Sequence, residues 1–246
     1  MGTVTPYEAR FEIFSGQHLV LLAIFVLGLV GFALWGRSHR GTDTEVRVRR
    51  SYAVVVLAVA VFMQAYQLSP GDFDIDTSLP LQLCDLATVA AIIALWTRSR
   101  RAAAFTYYVG LTLTVQAILT PSLAEAFPHP RYFGFWALHF SVVWAASYLT
   151  WGLGLRPTWR LYGFTVAATA TWALLTYLFN VVVDTNYGYL NAKPPAASLL
   201  DLLGPWPLYV VLEIVLVCVG WAVIMTLPWT LAGRRSQNRS RAGQPA

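Results

Sequence analysis

The sequence predicts an all-α, polytopic integral membrane protein built as one bundle of seven transmembrane helices. Of its 246 residues, 57% are hydrophobic and only 12% are charged, whereas soluble domains carry about a quarter charged residues. Seven stretches approach the roughly 20 apolar residues that a helix needs to cross a bilayer. They lie at residues 18–36, 51–68, 80–96, 102–120, 132–151, 161–180 and 206–228. Because their connections are short, we expect a single domain over residues 1–232.

The two ends of the chain carry different signals. The segment before the first stretch contains Glu8, Arg10 and Glu12 and lacks the basic start of a signal peptide. We therefore expect the first stretch to remain as a transmembrane helix. The last residues, 233–246, are basic and polar, which predicts a disordered tail.

The basic residues predict the orientation. Fourteen of the seventeen lie in segments 37–50, 97–101, 156–160 and 234–241, which share one side of a seven-helix arrangement. The positive-inside rule places that side, with the C-terminus, in the cytoplasm and the N-terminus outside. Arginines beside helix ends anchor the topology and bind anionic lipid head groups, so the net charge of +5 does not indicate a nucleic-acid partner.

Common cofactor and metal motifs are missing from the sequence. It contains no CxxC, HExxH, GxGxxG or Walker string, so we expect neither a cofactor nor a metal. The acidic turn at 72–76 offers too few ligands for calcium. Cys84 and Cys218 lie at different depths, which argues against a disulfide. The only lysine, Lys193, falls in an external loop, which excludes a retinal Schiff base within the membrane.

The longest predicted external loop spans residues 181–207. Its Asn, Gly and Pro residues favour turns, with a short helix at "AASLLDLL". Two interpretations remain open: a lid or re-entrant segment that rests on the bundle, or an ordinary connector.

Polar side chains inside the apolar stretches are costly and therefore mark functional candidates. Cys84 lies about 6 Å and His139 about 10 Å into their stretches from the outer side, at 1.5 Å per residue. The other polar groups are His18, Gln64, Gln67, Gln82, Asp85, Gln116, Asn180 and Glu213. Because several helices contribute polar groups at one level of the outer half, we expect a site or an aqueous vestibule there.

The chemistry available at that level is nucleophilic catalysis. A thiol in apolar surroundings is inert, but an imidazole that takes its proton makes it a nucleophile. Cys84 and His139 supply these two groups. The alternative is that the cysteine only fills space and the histidine only hydrogen-bonds a neighbouring helix. Asp85, about 100° around the helix from Cys84, is suited to binding a polar head group or fixing a neighbouring helix.

The remaining predicted site residues have supporting roles. Gln82, Gln116 and Asn180 are candidates for stabilising an oxyanion. Asn180 and Asp201 are candidates for orienting His139.

Three pieces of sequence together resemble a known family. They are "LPLQLCDLA" at 79–87, "FWALHFSVVW" at 135–144 and "NYGYLNAKPPAASLLDLLGPWPLY" at 186–209. The chain is similar over nearly its whole length to the YwaF / transmembrane protein 164 family of seven-span proteins. The animal member is described as a phospholipid acyltransferase that uses a cysteine and a histidine. The resemblance implies that Cys84 and His139 take those roles; where this chain has Gln82, many relatives carry histidine.

The resulting hypothesis is an acyltransferase or lipase of a bacterial cell membrane that acts on phospholipid esters near the outer leaflet. Two rivals remain. A small-molecule or ion-coupled transporter would use Asp85, His139 and Glu213 as relay groups and needs a polar path across the bundle, yet the inner halves of the stretches hold few polar groups. A non-catalytic scaffold would use the polar cluster only to join helices.

Overall fold

The computed structural model describes residues 11–123, 125–194 and 198–242, and every regular element in these ranges is helical. The prediction of an all-α fold is therefore confirmed. The described residues form seven consecutive rods, three of which contain a π-helical turn. They are α1 (Gly16–Ser38), α2 (Asp43–Gln67), α3 (Leu83–Thr97), α4 (Arg100–Val109, π-helical over Gly110–Thr114, then Val115–Leu119), α5 (Pro130–Ser147, π-helical over Tyr148–Gly152), α6 (Trp159–Val183) and α7 (Leu208–Gly220, π-helical over Trp221–Thr226, then Leu227–Ala242).

Four of these rods are long and apolar enough to cross a membrane: Gly16–Ser38, Arg100–Leu119, Trp159–Val183 and Leu208–Arg234. Only 11% of the residues are buried inside the bundle in the spans of α1 and α6, against 56% in α4. Hence α4 is a central helix, while α1 and α6 present apolar side chains to their surroundings. Such a surface is stable in lipid and unfavourable in water.

The structure moves two predicted boundaries. Helix α2 begins eight residues before the predicted stretch, because the Thr42 hydroxyl accepts a hydrogen bond from the Glu45 amide and caps the helix. The predicted loop 37–50 is therefore mostly helix. Helix α3 begins three residues later than predicted, at Leu83, with Gln82 as its extended N-cap residue.

A buried ion pair joins the start of α2 to the far ends of α3 and α5, and it was not predicted from the sequence. Glu45 and Arg49, 1% and 4% exposed, lie 2.8 Å apart. The Tyr148 hydroxyl donates to Glu45 at 2.9 Å, and Arg49 donates to the carbonyls of Leu95 and Trp96 at the end of α3. Arg49, interpreted from the sequence as a surface anchor of topology, instead connects three helices inside the bundle.

Small residues allow α1 and α5 to approach closely. A Cβ atom on Gly36 would lie 2.8 Å from the Tyr148 ring and 2.9 Å from the backbone of Gly152. Nearer the N-terminus of α1, the carbonyl of Phe25 accepts a hydrogen bond from the Trp144 indole at 2.9 Å. Close backbone approach with side chain to carbonyl hydrogen bonds is typical of helix pairs in membranes.

The C-terminal region differs from the prediction. Helix α7 continues to Ala242, so residues 233–242 are helical where a disordered tail was predicted. Residues 243–246 lie outside the described part of the chain. In the long loop, short 3₁₀ helices form at Tyr187–Tyr189 and Leu199–Leu203, and the second of these falls within the predicted "AASLLDLL" helix.

Candidate functional site

Cys84 is the second residue of α3 and lies on the inward-facing stripe of that helix. Ala87, Ala91 and Leu95 follow it at intervals of three, seven and eleven residues, and all three are fully buried. These intervals return to nearly the same face of a helix. The Cys84 thiol is free and half-buried, so it faces the interior at the edge of the core.

His139 occupies the corresponding stripe of α5. Val142, Ala146 and Leu149 follow it at intervals of three, seven and ten residues, and each is at most 1% exposed. The imidazole Nδ1 lies 2.7 Å from the carbonyl of Phe135, whose ring stacks on the imidazole at 4.1 Å between centroids. A carbonyl only accepts hydrogen bonds, so Nδ1 carries the proton and Nε2 keeps a lone pair.

The buried Glu45–Arg49 ion pair of α2 shows that the C-terminal ends of α3 and α5 lie at the same depth in the bundle. It contacts Leu95 near the end of α3 and Tyr148 near the end of α5, so the two helices run in the same direction. Cys84 precedes Leu95 by eleven residues, about 16 Å, and His139 precedes Tyr148 by nine, about 13 Å. The thiol and the imidazole therefore lie at similar levels of the bundle.

The side chains of Cys84 and His139 are not hydrogen-bonded to each other. Within the described part of the chain, no hydrogen bond joins the thiol to the imidazole, and Phe135 is the only hydrogen-bond partner of the ring. The two groups share a level and both face the interior, but the thiol proton has no direct route to Nε2 in this arrangement.

Gln82 and Asp85 complete the N-terminus of α3. The Asp85 carboxylate accepts a hydrogen bond from the backbone N–H of Gln82 at 2.9 Å, which caps the helix. The Gln82 side-chain oxygen accepts from the Gly188 amide of the long loop at 3.0 Å. Gln82 thereby joins the start of α3 to this loop, and Asp85 fixes the first turn that carries Cys84.

Tyr187 anchors the long loop to the segment before α3, a role that the sequence analysis missed. Its hydroxyl donates to the carbonyl of Ile75 at 2.6 Å and accepts from the Leu79 amide at 2.9 Å. Burial, reinforced by the nearby carboxylates of Asp74 and Asp76, raises the pKa of Tyr187. The hydroxyl therefore remains protonated and keeps both hydrogen bonds at neutral pH.

A second anchor, also missed, involves Trp172 of α6. Its indole donates to the carbonyl of Leu81 at 2.9 Å, immediately before α3. The same ring packs against Gly188, which has a φ of +67°, and a Cβ atom there would lie 2.6 Å from the ring. A glycine between two tyrosines in "NYGY" signals a turn, but the sequence could not indicate which surface the turn meets.

Asn180 binds the long loop to the end of α6. It is 1% exposed and lies in the last turn of α6, four residues before the C-cap residue Asp184. Its amide donates to the Tyr187 carbonyl and the Asn191 side chain, and its oxygen accepts from Thr185 and from the Tyr187 amide. All of the donors and acceptors of this side chain are therefore engaged within the loop.

The other predicted residues lie apart from this cluster. Asp201 is half exposed, caps the second 3₁₀ helix and lies 3.6 Å from Lys193. Gln116 is half-buried on α4, and its side chain makes no hydrogen bond with the described residues. Neither Asp201 nor Asn180 makes a hydrogen bond to His139, whose ring is instead oriented by the Phe135 carbonyl.

Two further polar candidates have defined surroundings. His18 is fully buried; Nδ1 accepts from the Phe14 amide at 2.9 Å and Nε2 donates to the Ile118 carbonyl at 3.0 Å. Nδ1 thus binds the residue that precedes α1, and Nε2 joins α1 to α4. Glu213 on α7 is half-buried and makes no hydrogen bond or ion pair with the described residues.

No group of three or more His, Cys, Asp or Glu side chains within the described ranges is arranged to hold a metal ion. An apolar groove of about 400 Å³ lies between α2 and α5, lined by residues such as Met63, Phe133 and Gly134. Neither Cys84 nor His139 lines it.

The cluster at the start of α3 unites two of the three sequence pieces that carry the family resemblance, because residues 79–87 bind the loop at 186–209 through Tyr187 and Gly188. The profile of the TMEM164 family matches residues 13–225 and includes all three pieces.

This chain belongs to the TMEM164 family.

We found no significant match among curated proteins and none among solved structures. Family membership and the long apolar helices together identify an integral membrane protein.

Proposed function

We propose that this protein is a membrane acyl-transfer enzyme in which Cys84 attacks a phospholipid ester with His139 as the base. The observation that carries the proposal is the placement of both side chains on inward-facing stripes of parallel helices at similar levels. The cysteine and histidine that the animal member is described as using match these two positions, which supports the same assignment.

The placement of Cys84 in the first turn of α3 favours a nucleophilic role. The N-terminus of a helix carries partial positive charge and stabilises an anion in its first turn. The Asp85 carboxylate next to it opposes a permanent thiolate by like-charge repulsion. The proton is therefore best removed during attack, by a base, rather than lost beforehand.

His139 has the tautomer that this base requires. With Nδ1–H held by Phe135, Nε2 accepts the Cys84 proton as sulfur bonds to the ester carbonyl carbon. The tetrahedral intermediate collapses as the carbon–oxygen ester bond breaks, and the leaving lysolipid oxygen takes the proton from Nε2. A thioester on Cys84 and a lysophospholipid result.

A second half-reaction releases the acyl group. His139 removes a proton from an acceptor hydroxyl, which attacks the thioester, and the Cys84 sulfur regains the proton as it leaves. Water as acceptor gives a lipase, and a lysolipid gives an acyltransferase. In the resting arrangement the thiol and imidazole are not hydrogen-bonded, so an approach of α3 and α5 or an intervening water would accompany substrate binding in this mechanism.

Gln82 and Gln116 are the amides best suited to stabilise the oxyanion. The Gln82 oxygen is bound to Gly188, but its amide nitrogen keeps its donors. Gln116 has no hydrogen-bond partner among the described residues, and its level on α4 is within about one turn of His139. Asn180 acts as a positioning residue for the loop, and Asp201 as part of the loop surface.

The proposed membrane arrangement has all seven rods crossing the bilayer, with the start of α3 near the outer leaflet and the C-terminus in the cytoplasm. The arginine distribution supports this orientation. Helix α3, with 15 residues, is short for a span, so the segment before it would complete the crossing.

The decisive experiment compares the purified protein and its variants in lipid nanodiscs with labelled phospholipid. We expect Cys84→Ala and His139→Ala to lower turnover by about a hundredfold or more. Cys218→Ala, which removes the other free thiol in α7, should retain activity. Label on Cys84 that hydroxylamine releases would identify the thioester. Equal turnover by all four proteins would refute both catalytic roles.

A further inference from the structure

A cleft rich in arginine lies at the end of the bundle opposite Cys84. It measures about 360 Å³ and is lined by side chains from α1, the end of α5 and α7. Arg37 and Arg40 contribute from α1 and the turn that follows it, and Arg156 contributes from beyond α5. A cleft of this size accommodates a small ligand.

Backbone carbonyls hold two of these arginines in place. Arg37 donates through Nε to the carbonyl of Trp151 at 3.0 Å, and Arg40 donates through Nε to the carbonyl of Gly152 at 3.0 Å. These carbonyls belong to the last two residues of α5, where the helix ends and its carbonyls have no donor within the helix. Arg40 also donates through Nη2 to the carbonyls of Gly152 and Trp151. The Nη1 group of Arg40 and both Nη groups of Arg37 retain N–H donors for a ligand.

Gly154 makes room for this arrangement. Its φ is +77°, in the left-handed region that favours glycine. A Cβ atom at this position would lie 3.0 Å from Nη1 of Arg40. The backbone after α5 is thus shaped to let the Arg40 guanidinium lie against it.

No described carboxylate neutralises the positive charge of the cleft. In the described part of the chain, Arg37, Arg40 and Arg156 make no ion pair with a carboxylate, since the ion pairs found there involve Arg49, Arg131 and Lys193. Arg156 lies over the Trp229 ring at 5.3 Å, which fixes its position without reducing its charge.

An unpartnered buried hydroxyl provides an independent indication of a ligand. Thr150 lines the cleft and is only 1% exposed. Its Oγ1 has no hydrogen-bond partner among the residues that the structure describes. Buried hydroxyls nearly always have a partner, and an oxyanion in the cleft would accept a hydrogen bond from this one.

We propose that this cleft binds a phosphate-type oxyanion, either as free phosphate or as the head group of an anionic phospholipid. Three guanidinium groups supply charge-assisted hydrogen bonds of the kind that planar Arg side chains make to phosphate. The site goes beyond the proposed acyl-transfer function, because it lies at the other end of the bundle from Cys84 and shares no residue with it.

The test uses the purified full chain in detergent, titrated separately with inorganic phosphate, dihexanoyl phosphatidylglycerol and dihexanoyl phosphatidylcholine. Tryptophan fluorescence is the readout, since Trp151 and Trp229 line the cleft. We expect saturable binding of an anionic probe that Arg156→Gln weakens about tenfold, the loss of one charge-assisted contact. Arg160→Gln, from the same connection but outside the cleft, should bind like the wild type.

The pattern of binding distinguishes free phosphate from a phospholipid head group as the ligand. Saturation by both phosphate and phosphatidylglycerol indicates a site for the oxyanion itself, and saturation by phosphatidylglycerol alone indicates a lipid head-group site. Thr150→Val should weaken either by several fold. Absence of saturable binding by both anionic probes, equal binding of phosphatidylcholine, or equal effects of the Arg156 and Arg160 variants overturns the proposal. Unchanged helicity and melting of each variant without anion exclude misfolding.

Discussion

Asn180 offers the sharpest test of how the long loop is held on the bundle. Its side chain makes four hydrogen bonds of 2.9 to 3.1 Å, two of them to the backbone amide and carbonyl of Tyr187. Tyr187 is fully buried, so Asn180→Ala leaves both backbone groups without a partner. Each buried polar group that loses its partner costs about 1–3 kcal/mol. We expect the variant to lose about 3 kcal/mol of loop stability.

This loss of stability determines how much of the protein has the loop open. A change of about 3 kcal/mol raises the population of the open loop about a hundredfold. Hydrogen–deuterium exchange of the peptide 184–194, measured by mass spectrometry in detergent, reports this population because the Tyr187 and Gly188 amides are hydrogen-bonded only in the closed loop. These amides should exchange about a hundredfold faster in Asn180→Ala.

A variant with a smaller expected effect distinguishes the loss of the Asn180 hydrogen bonds from a general loss of packing. Asn191→Ala removes only the bond at 3.1 Å from the Asn180 amide, so exchange should accelerate by about tenfold or less. Peptides from the middle of α4 should exchange as in the wild type in both variants. If the 184–194 peptide of Asn180→Ala exchanges at the wild-type rate, the hydrogen bonds of Asn180 do not hold the loop closed.

Two further predictions concern stability and are checked by thermal melting in detergent. Arg49→Ala leaves Glu45 as an uncompensated buried charge and should cost about 3 kcal/mol, whereas Arg47→Ala, exposed on the same helix, should cost little; equal melting would contradict the buried pair. Gly188→Ala combines a φ of +67° with a contact at 2.6 Å to a tryptophan ring and should cost about 1–3 kcal/mol. Its control, Gly71→Ala, meets open space, and an equal effect of both would count against the packing described.

Much of the helical fold could be predicted because it follows from composition and from periodic spacing. Each of the seven predicted apolar stretches overlaps an observed rod, since a run of apolar residues favours a helix whatever its neighbours. The start of α3 was misplaced because Leu79, Pro80 and Leu81 extend the apolar run of the helix that follows. Only the extended Gln82 and its bond to Asp85 show where the helix begins.

The buried ion pair could not be predicted because charge alone does not reveal burial. Arg47, Arg49 and Arg50 look alike in sequence, yet only Arg49 is buried, where its partner Glu45 lies one turn before it. Its other partners, the carbonyls at the end of α3, are 46 and 47 residues away. A contact of that kind depends on how the helices assemble.

The candidate site was only partly accessible from the sequence for the same reason. Cys84 and His139 stood out as ionisable groups in apolar helices, but the polar residues grouped with them serve different purposes. Asn180 is committed to the loop, and Asp201 lies on the surface with Lys193. Tyr187 and Trp172, which position the start of α3, were missed because aromatic residues near helix ends ordinarily indicate the membrane interface.

The way the start of α3 is held links the loop to the proposed chemistry. Three hydrogen bonds fix the four residues before the helix: Tyr187 to Leu79, Trp172 to Leu81 and Gly188 to Gln82. Cys84 follows Gln82 by only two residues, so its position depends on these contacts, whereas His139 is held by its own helix. An open loop would therefore displace the nucleophile while leaving the base in place. Since a displacement of about 1 Å is enough to slow a reaction about a hundredfold, loop closure over α3 would control when Cys84 is correctly placed for attack.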